Sequence, residues 1–238
     1  MKKIIVDKAV FELFPELQLN LLTVHNINNH CNDESEAYFK RLLANATAEA
    51  HKFLINDTFR LNPVVDQWRQ AYRQFKTKKG ARSSIEALLK RVSQGHVFTP
   101  INPLVDIYNS ISLEFGVPAG GENLNAIIGN MHLGIATGGE AFWPLGAEHG
   151  EPALPGEVCY MDDVGAICRC FNWREAKRTM LTEDTTDAIL VIESINQQQA
   201  QRANEGAQQL QKQVENYFNV PTHSYLITHD NSDIELDY

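Results

Sequence analysis

The side chains best equipped for chemistry fall in one short stretch, residues 168–179, reading CRCFNWREAKRT. Arg169, Asn172 and Arg174 supply hydrogen-bond donors, Glu175 supplies an acceptor, and Trp173 sets a flat ring among them. Guanidinium groups grip phosphate or carboxylate through paired N–H donors, and an indole can cover an apolar group or a base. The same residues also suit an exposed loop, with Trp173 as its anchor and Arg174 paired to Glu175. Cys168 and Cys170 stand two apart, which on a strand gives them a shared face, but this is not the spacing of a zinc-ligand pair. His25 and His30 occupy a polar loop without an acidic or cysteine partner at a fixed interval. No metal and no cofactor are expected. No Ser-His-Asp or Cys-His arrangement is recognisable, so no catalytic residue is assigned.

A second chemical feature is electrostatic. Arg69, Arg73, Lys76, Lys78, Lys79, Arg82, Lys90 and Arg91 crowd into residues 69–91, with Glu86 as the opposing acid. The whole chain carries a formal net charge of -9, so this run stands against its surroundings. A phosphate backbone is held mainly by such charge, with affinity that falls steeply as salt rises. A solvated helix face is the competing reading. Trp68, Tyr72 and Phe75 recur at helical spacing and read as core rather than as stacking platforms.

The elements that must position these groups follow from pattern. Residues 4–14 and 19–25 read as two strands around a turn at Pro15, and residues 34–55 as an amphipathic helix capped by Asp33 or Ser35. Residues 63–75 and 84–95 give two more helices, with a loop of charged and small residues between them. Residues 103–115 form a well delimited helix: Asn102 can cap it, Pro103 suits its first position, and Gly116 with Pro118 ends it. Asp106 and Asn109, three apart on that helix, read as a polar pair tying it to its surroundings. Residues 131–146 read as strand, turn and strand, residues 156–162 and 164–170 as two further strands, and 185–195 as a long one rich in β-branched residues. A glutamine-rich helix over 196–218 and a strand over 222–229 complete the pattern. Residues 231–238 read as a mobile acidic tail.

Composition sets the bounds. The 238 residues are 43% hydrophobic and 21% charged, ordinary values for a globular chain able to bury a full core. The basic start is broken at once by Asp7, Lys8 and Glu12, so it does not read as a signal peptide, and no apolar run is long enough to span a bilayer. A cytoplasmic protein with no membrane partner is expected. Strands and long helices without repeated βαβ units argue an α+β class. One domain is expected over residues 1–230, followed by the tail; oligomeric state is left open.

Residues 105–118, VDIYNSISLEFGVP, resemble the signature helix of the B3/B4 domain, the editing module of the phenylalanyl-tRNA synthetase beta subunit. Asp106, Asn109, Leu113, Glu114, Gly116 and Pro118 fall on its pattern. Gly139-Glu140, residues 157–162 and residues 182–194 (TEDTTDAILVIES) continue the likeness in order, so it covers about residues 85–200. The resemblance implies a three-layer arrangement of two sheets and helices, and hydrolysis of mischarged tyrosyl-tRNA. It places Glu193 on the glutamate that recognises the tyrosine hydroxyl, a discrimination that polar pockets make strongly. The family's histidine after the signature helix is replaced here by Ala119-Gly120. Its arginine before the helix has no counterpart in residues 96–102, and its glycine-rich turn gives way to residues 168–179.

Three readings follow. The first is a trans-acting hydrolase of a misacylated aminoacyl-tRNA, with Glu193, Asn172, Arg174, Arg169 and Trp173 at the substrate and Arg69, Arg73, Lys76, Lys78, Lys79 and Arg82 on the tRNA. The second is a binding module for structured RNA without chemistry. The third is a binder or enzyme for an amino-acid-like small molecule.

Overall fold

The computed structural model describes residues 2–237. In chain order the elements are β1 (Lys3–Val6), α1 (Lys8–Leu13), β2 (Gln18–Val24), α2 (Asp33–Ala50), α3 (Pro63–Ala71), α4 (Ser84–Ser93) and α5 (Pro103–Phe115). There follow β3 (Ala119–Asn123), β4 (Met131–Ile135), β5 (Val158–Asp162), β6 (Gly165–Arg169), β7 (Arg174–Glu175), β8 (Ala188–Ser194), α6 (Gln197–Phe218), β9 (Thr222–Ile227) and β10 (Asp233–Glu235). Two sheets result: β10-β1-β4-β5-β6-β7 and β3-β8-β2-β9. The fold is α+β in three layers, as the sequence implied.

The layering is written in β8. All of its residues are buried, and alternate side chains serve opposite faces. Ile189 and Val191 enter the core between the sheets with Met131, Leu133 and Tyr160. Leu190 and Ile192 enter a second core against Leu104, Ile107 and Ile111 of α5 and Ala203, Leu210 and Val214 of α6. Each such side chain contributes about 1.5–3 kcal/mol by leaving water, which is why this strand sits at the middle of the molecule. Glu193 shares the face of Ile189 and Val191, so the same alternation carries its carboxyl in between the sheets.

The helix signals hold. Asn102 accepts a hydrogen bond from the Val105 N–H at 3.1 Å, Pro103 opens α5, and Gly116 closes it in the left-handed region at φ +62°. Gly116 is required twice over, because a Cβ there would lie 2.7 Å from the Phe53 ring. In α2 the cap is Asn32, not Asp33, with Ser35 completing a reciprocal capping box.

Four expectations are corrected. Residues 4–14 are a strand followed by α1, because Val10, Phe11 and Phe14 bury one helical face after Asp7. α3 stops at Ala71 rather than Phe75. Within residues 131–146 no second strand forms after β4; Gly138 and Gly139 turn the chain and Glu140 folds back onto the Thr137 and Gly138 N–H groups. The acidic tail is not free: β10 pairs antiparallel with β1, Lys3 opposite Glu235. The segment ahead of the resemblance is woven into the fold, since β1 lies between β10 and β4, and β2 between β8 and β9.

Candidate functional site

A cavity of about 250 Å³ opens between the two sheets. Its floor is Gly120 and Val191, paired across β3 and β8. Glu122 lies two residues beyond Gly120 on the same face, and Glu193 two residues beyond Val191 in the opposite direction. Because the Glu193 N–H bonds the Pro118 carbonyl, the two glutamates stand about 13 Å apart along the strands. The cavity therefore has two acidic ends and a glycine between them. Tyr160 of β5, Cys168 of β6 and Glu175 of β7 line it from the other sheet, and Tyr108 and Asn109 from α5. Ser84, Ala87, Leu88 and Arg91, spaced as one stripe of α4, form a wall. Arg91 is the exposed member of the lining and marks its mouth.

The turn between β6 and β7 delivers two further groups. Cys170 and Phe171 both take positive φ, +50° and +57°, a conformation that costs a non-glycine residue about 1–2 kcal/mol. Aromatic packing holds it: Phe171 is fully buried against Phe14, Trp68, Tyr72 and Phe75. The Tyr72 hydroxyl donates to the Cys170 carbonyl at 2.6 Å. The aromatic stripe of α3 is thus core, and its task is to fix the turn that aims Asn172 and Trp173 into the cavity.

Polar groups in the cavity are incompletely satisfied. The Tyr160 hydroxyl donates to Glu193 Oε1 at 2.8 Å, while Glu193 Oε2 has no partner. Glu122 Oε2, Ser84 Oγ and both amide atoms of Asn172 are likewise unpartnered. Burial pushes the Glu193 carboxyl up to about 8, with the Tyr160 hydroxyl pulling the other way. Burial and then the Glu175 charge hold Glu122 well above the usual carboxylate range, and burial lifts Glu175 to about 7. In its protonated form Glu193 can offer a hydrogen from the unpartnered Oε2.

The sequence model of the B3/4 domain matches residues 67–226. The chain belongs to the B3/4 domain family. Among solved structures it is similar to an N-terminal fragment of the phenylalanyl-tRNA synthetase beta-subunit from Pyrococcus horikoshii, with a TM-score of 0.49 at 10% identity. That likeness covers 94% of this chain and 53% of the other, so this chain spans about half of it. No curated protein matches the sequence.

Within this B3/4 chain the sequence-derived residues separate. Glu193, Asn172 and Trp173 come together in the cavity. Arg169 and Arg174 do not line it. The Arg169 guanidinium is buried in a bidentate pair with Glu157, at 2.7 and 2.5 Å, and also donates to the Glu151 carbonyl. Arg174 lies over the Trp173 ring and pairs with Glu151 rather than Glu175. Asp106 and Asn109 part company too: Asp106 accepts from the Ile101 N–H at 3.0 and 3.1 Å as a helix anchor, whereas Asn109 faces the cavity. Cys168 lines the cavity but Cys170 does not, and burial pushes the Cys170 thiol up to about 12. His25 bonds Asp187, and His30 lies beside Glu183 and Asp184.

The basic run also divides. Arg69 is held by Glu86 at 2.6 Å and Lys78 by Glu151, the second acid coming from far along the chain. Arg73, Lys76, Lys79 and Arg82 are exposed and make no ion pair among the described residues. Arg82 and Lys90 border a groove on the flank of α4 next to the cavity wall. Glu122 and Tyr160 carry no motif, and only strand pairing brings them to the site, whereas Tyr108 arrives on α5 beside Asn109. Among the described residues no helix is long and apolar enough to cross a membrane.

Proposed function

We propose that this B3/4 protein acts on the aminoacyl end of a tRNA-like RNA, hydrolysing the ester that joins amino acid to ribose. The carrying observation is the buried Glu193–Tyr160 pair, with one free carboxyl oxygen, in a cavity whose mouth bears Arg91 of the basic run. The aminoacyl group would occupy the cavity, and Arg73, Lys76, Lys79 and Arg82 would hold phosphates outside it. Water attacks the ester carbonyl, the ribose oxygen leaves as a hydroxyl with one of the water's protons, and the amino acid leaves as its carboxylate, the other proton passing to solvent. The residues' part is to position the ester and stabilise the developing oxyanion, for which the Asn172 amide and the protonated Glu193 supply donors. The test is deacylation of a panel of mischarged tRNAs, with Glu193→Ala as control. Accelerated release of one or a few amino acids, slowed in the variant, is expected; no release from any member sinks the reading.

A second reading has its own support, namely the three carboxyl groups that line the cavity of a chain with net charge -9. Such a site suits a free amino acid without RNA. It predicts a thermal-stability shift with an amino-acid ligand and no salt-sensitive affinity for tRNA.

A further inference from the structure

The geometry points to a subsite for a primary ammonium group at the Glu122–Glu175 end of the cavity, distinct from the Glu193–Tyr160 end. This rests on the cavity being the place where the aminoacyl group is held, and it names which group of that ligand is read there.

Glu122 is 7% exposed, faces the cavity from β3, and leaves Oε2 without a hydrogen-bond partner. A buried carboxyl in that condition needs a proton or a cation, because an unpaired charge in a low-dielectric site is strongly disfavoured. Glu175 enters the same cavity from β7, on the opposite sheet. Among the described residues no cation forms an ion pair with Glu122 or Glu175. The Thr179 hydroxyl and the Arg178 charge both favour an ionised Glu122, but the Arg178 guanidinium is already committed to Asp162 by two bonds of 2.8 Å. Asn172, both of whose amide atoms are unpartnered, lies over Gly120 in the middle of the cavity. An ammonium carries three donors and no acceptor, so a pair of carboxyls supplies it with acceptors and with opposite charge. An anion would add a like charge beside the pair, and a neutral apolar group would offer their oxygens no donor.

The other charged and titratable groups around this end are accounted for. Tyr108 of α5 and Cys168 of β6 are neutral, their protons held by burial first and the glutamates second. Glu193 with Tyr160 occupies the far end, and Arg91 the mouth. Burial holds both carboxyls above the usual carboxylate range, Glu122 with help from the Glu175 charge; an ammonium favours their ionised form, so a proton leaves to solvent as the ion pair forms. Affinity should therefore rise with pH above about 6 until the ligand's own ammonium loses its proton, at about 8 for an α-amino group and about 10 for a basic side chain.

The ammonium can be the α-amino group or that of a basic side chain, and acetylation separates them. The probes are the amides of lysine, ornithine, phenylalanine and tyrosine, each compared with its Nα-acetylated form and, for the first two, with the Nε- or Nδ-acetylated and doubly acetylated forms. Binding is measured by calorimetry on the full chain in two buffers of different ionisation enthalpy. We expect at least one amide to bind with proton release, and loss of its ammonium, or Glu122→Gln or Glu175→Gln, to weaken it about 30-fold or more. Retained affinity after Nα-acetylation assigns the side-chain source, and retained affinity after side-chain acetylation assigns the α-amino source. Glutamine is nearly isosteric and removes a buried repulsion, so both variants should melt no lower than the parent, which separates a binding loss from misfolding.

The subsite is overturned if fully acetylated amides bind as tightly, if the glutamine variants bind unchanged, or if no amide binds. Because these probes contain no RNA, deacylation can fail while ammonium binding stands, which removes the hydrolase and leaves the subsite. Deacylation indifferent to Glu122→Gln, with no ammonium binding, does the reverse.

Discussion

Glu157 and Glu193 are equally inaccessible, each 0% exposed, yet their surroundings are opposite. Both oxygens of Glu157 are taken by the Arg169 guanidinium, which in turn spends a third donor on the Glu151 carbonyl and lies over the Phe142 ring. Glu193 has one hydroxyl on one oxygen and nothing on the other. A buried charge with every partner present is finished structure. A buried polar group with a partner missing, beside a cavity large enough for a small molecule, is on the proposed reading the place where a ligand completes the set.

The largest test of that contrast removes the acid from each. Glu157→Ala leaves the Arg169 charge buried and unpaired, and should cost about 3–5 kcal/mol in urea unfolding. Glu193→Gln keeps the shape, removes an ionisation the interior resists, and should cost less than about 1 kcal/mol at pH 8. Equal losses would mean that Glu193 is as structural as Glu157.

A second test uses pH. The Glu193, Glu175 and Asp106 carboxyls are raised in the folded chain to about 8, 7 and 7. In the unfolded chain they ionise in the ordinary range. Between those values the unfolded state has lost protons that the folded state keeps, so stability is full below the ordinary carboxylate range and falls as pH rises toward 8. Each such group contributes a slope of at most about 1.4 kcal/mol per pH unit inside its window. Glu151 and Glu215, held low first by the Lys78 ammonium and by the Thr222 hydroxyl, act in the opposite sense at acid pH. Stability should peak near pH 5, and Glu193→Gln should flatten the decline above it. A parent whose stability rises from pH 5 to 8 would contradict these environments.

Asn172 offers a smaller effect on the same side of the comparison. Its amide makes no hydrogen bond, so Asn172→Ala should change stability by less than about 0.5 kcal/mol. It should still slow deacylation about tenfold or more if the amide holds the ester. Loss of stability with unchanged deacylation would make Asn172 part of the turn's structure.

How far the sequence foretold this depends on the range over which each feature is decided. The boundaries of α5 were legible because Asn102, Pro103 and Gly116 act within one turn of the helix. Glu193 was legible because a strand alternates with a period of two and a family pattern fixed its register. The partners of Arg169 and Arg174 were not, since Glu157 and Glu151 reach them through sheet pairing and a long loop, and arginine fits a phosphate or a carboxylate equally well. Glu122 was invisible for the same reason: nothing near AGGEN indicates that β7 will set Glu175 across the cavity. The positive φ of Cys170 and Phe171 had no local signal either, because burial of an aromatic ring, not a glycine, supports that turn.

The smallest expected change in stability belongs to the basic run, and it sharpens the comparison outside the cavity. Arg69 resembles Arg169: it is paired to the buried Glu86, so Arg69→Gln should destabilise and makes a poor probe of RNA contact. Lys79 and Arg82 resemble the open oxygens of the cavity in being uncommitted. The double variant Lys79→Gln, Arg82→Gln should unfold within about 0.5 kcal/mol of the parent. Its affinity for uncharged tRNA should drop, and the slope of log affinity against log salt should lessen by about one for each phosphate contact removed. Measured between low and moderate salt, an unchanged slope would remove these residues from any RNA surface and leave the cavity as the site of a free small molecule.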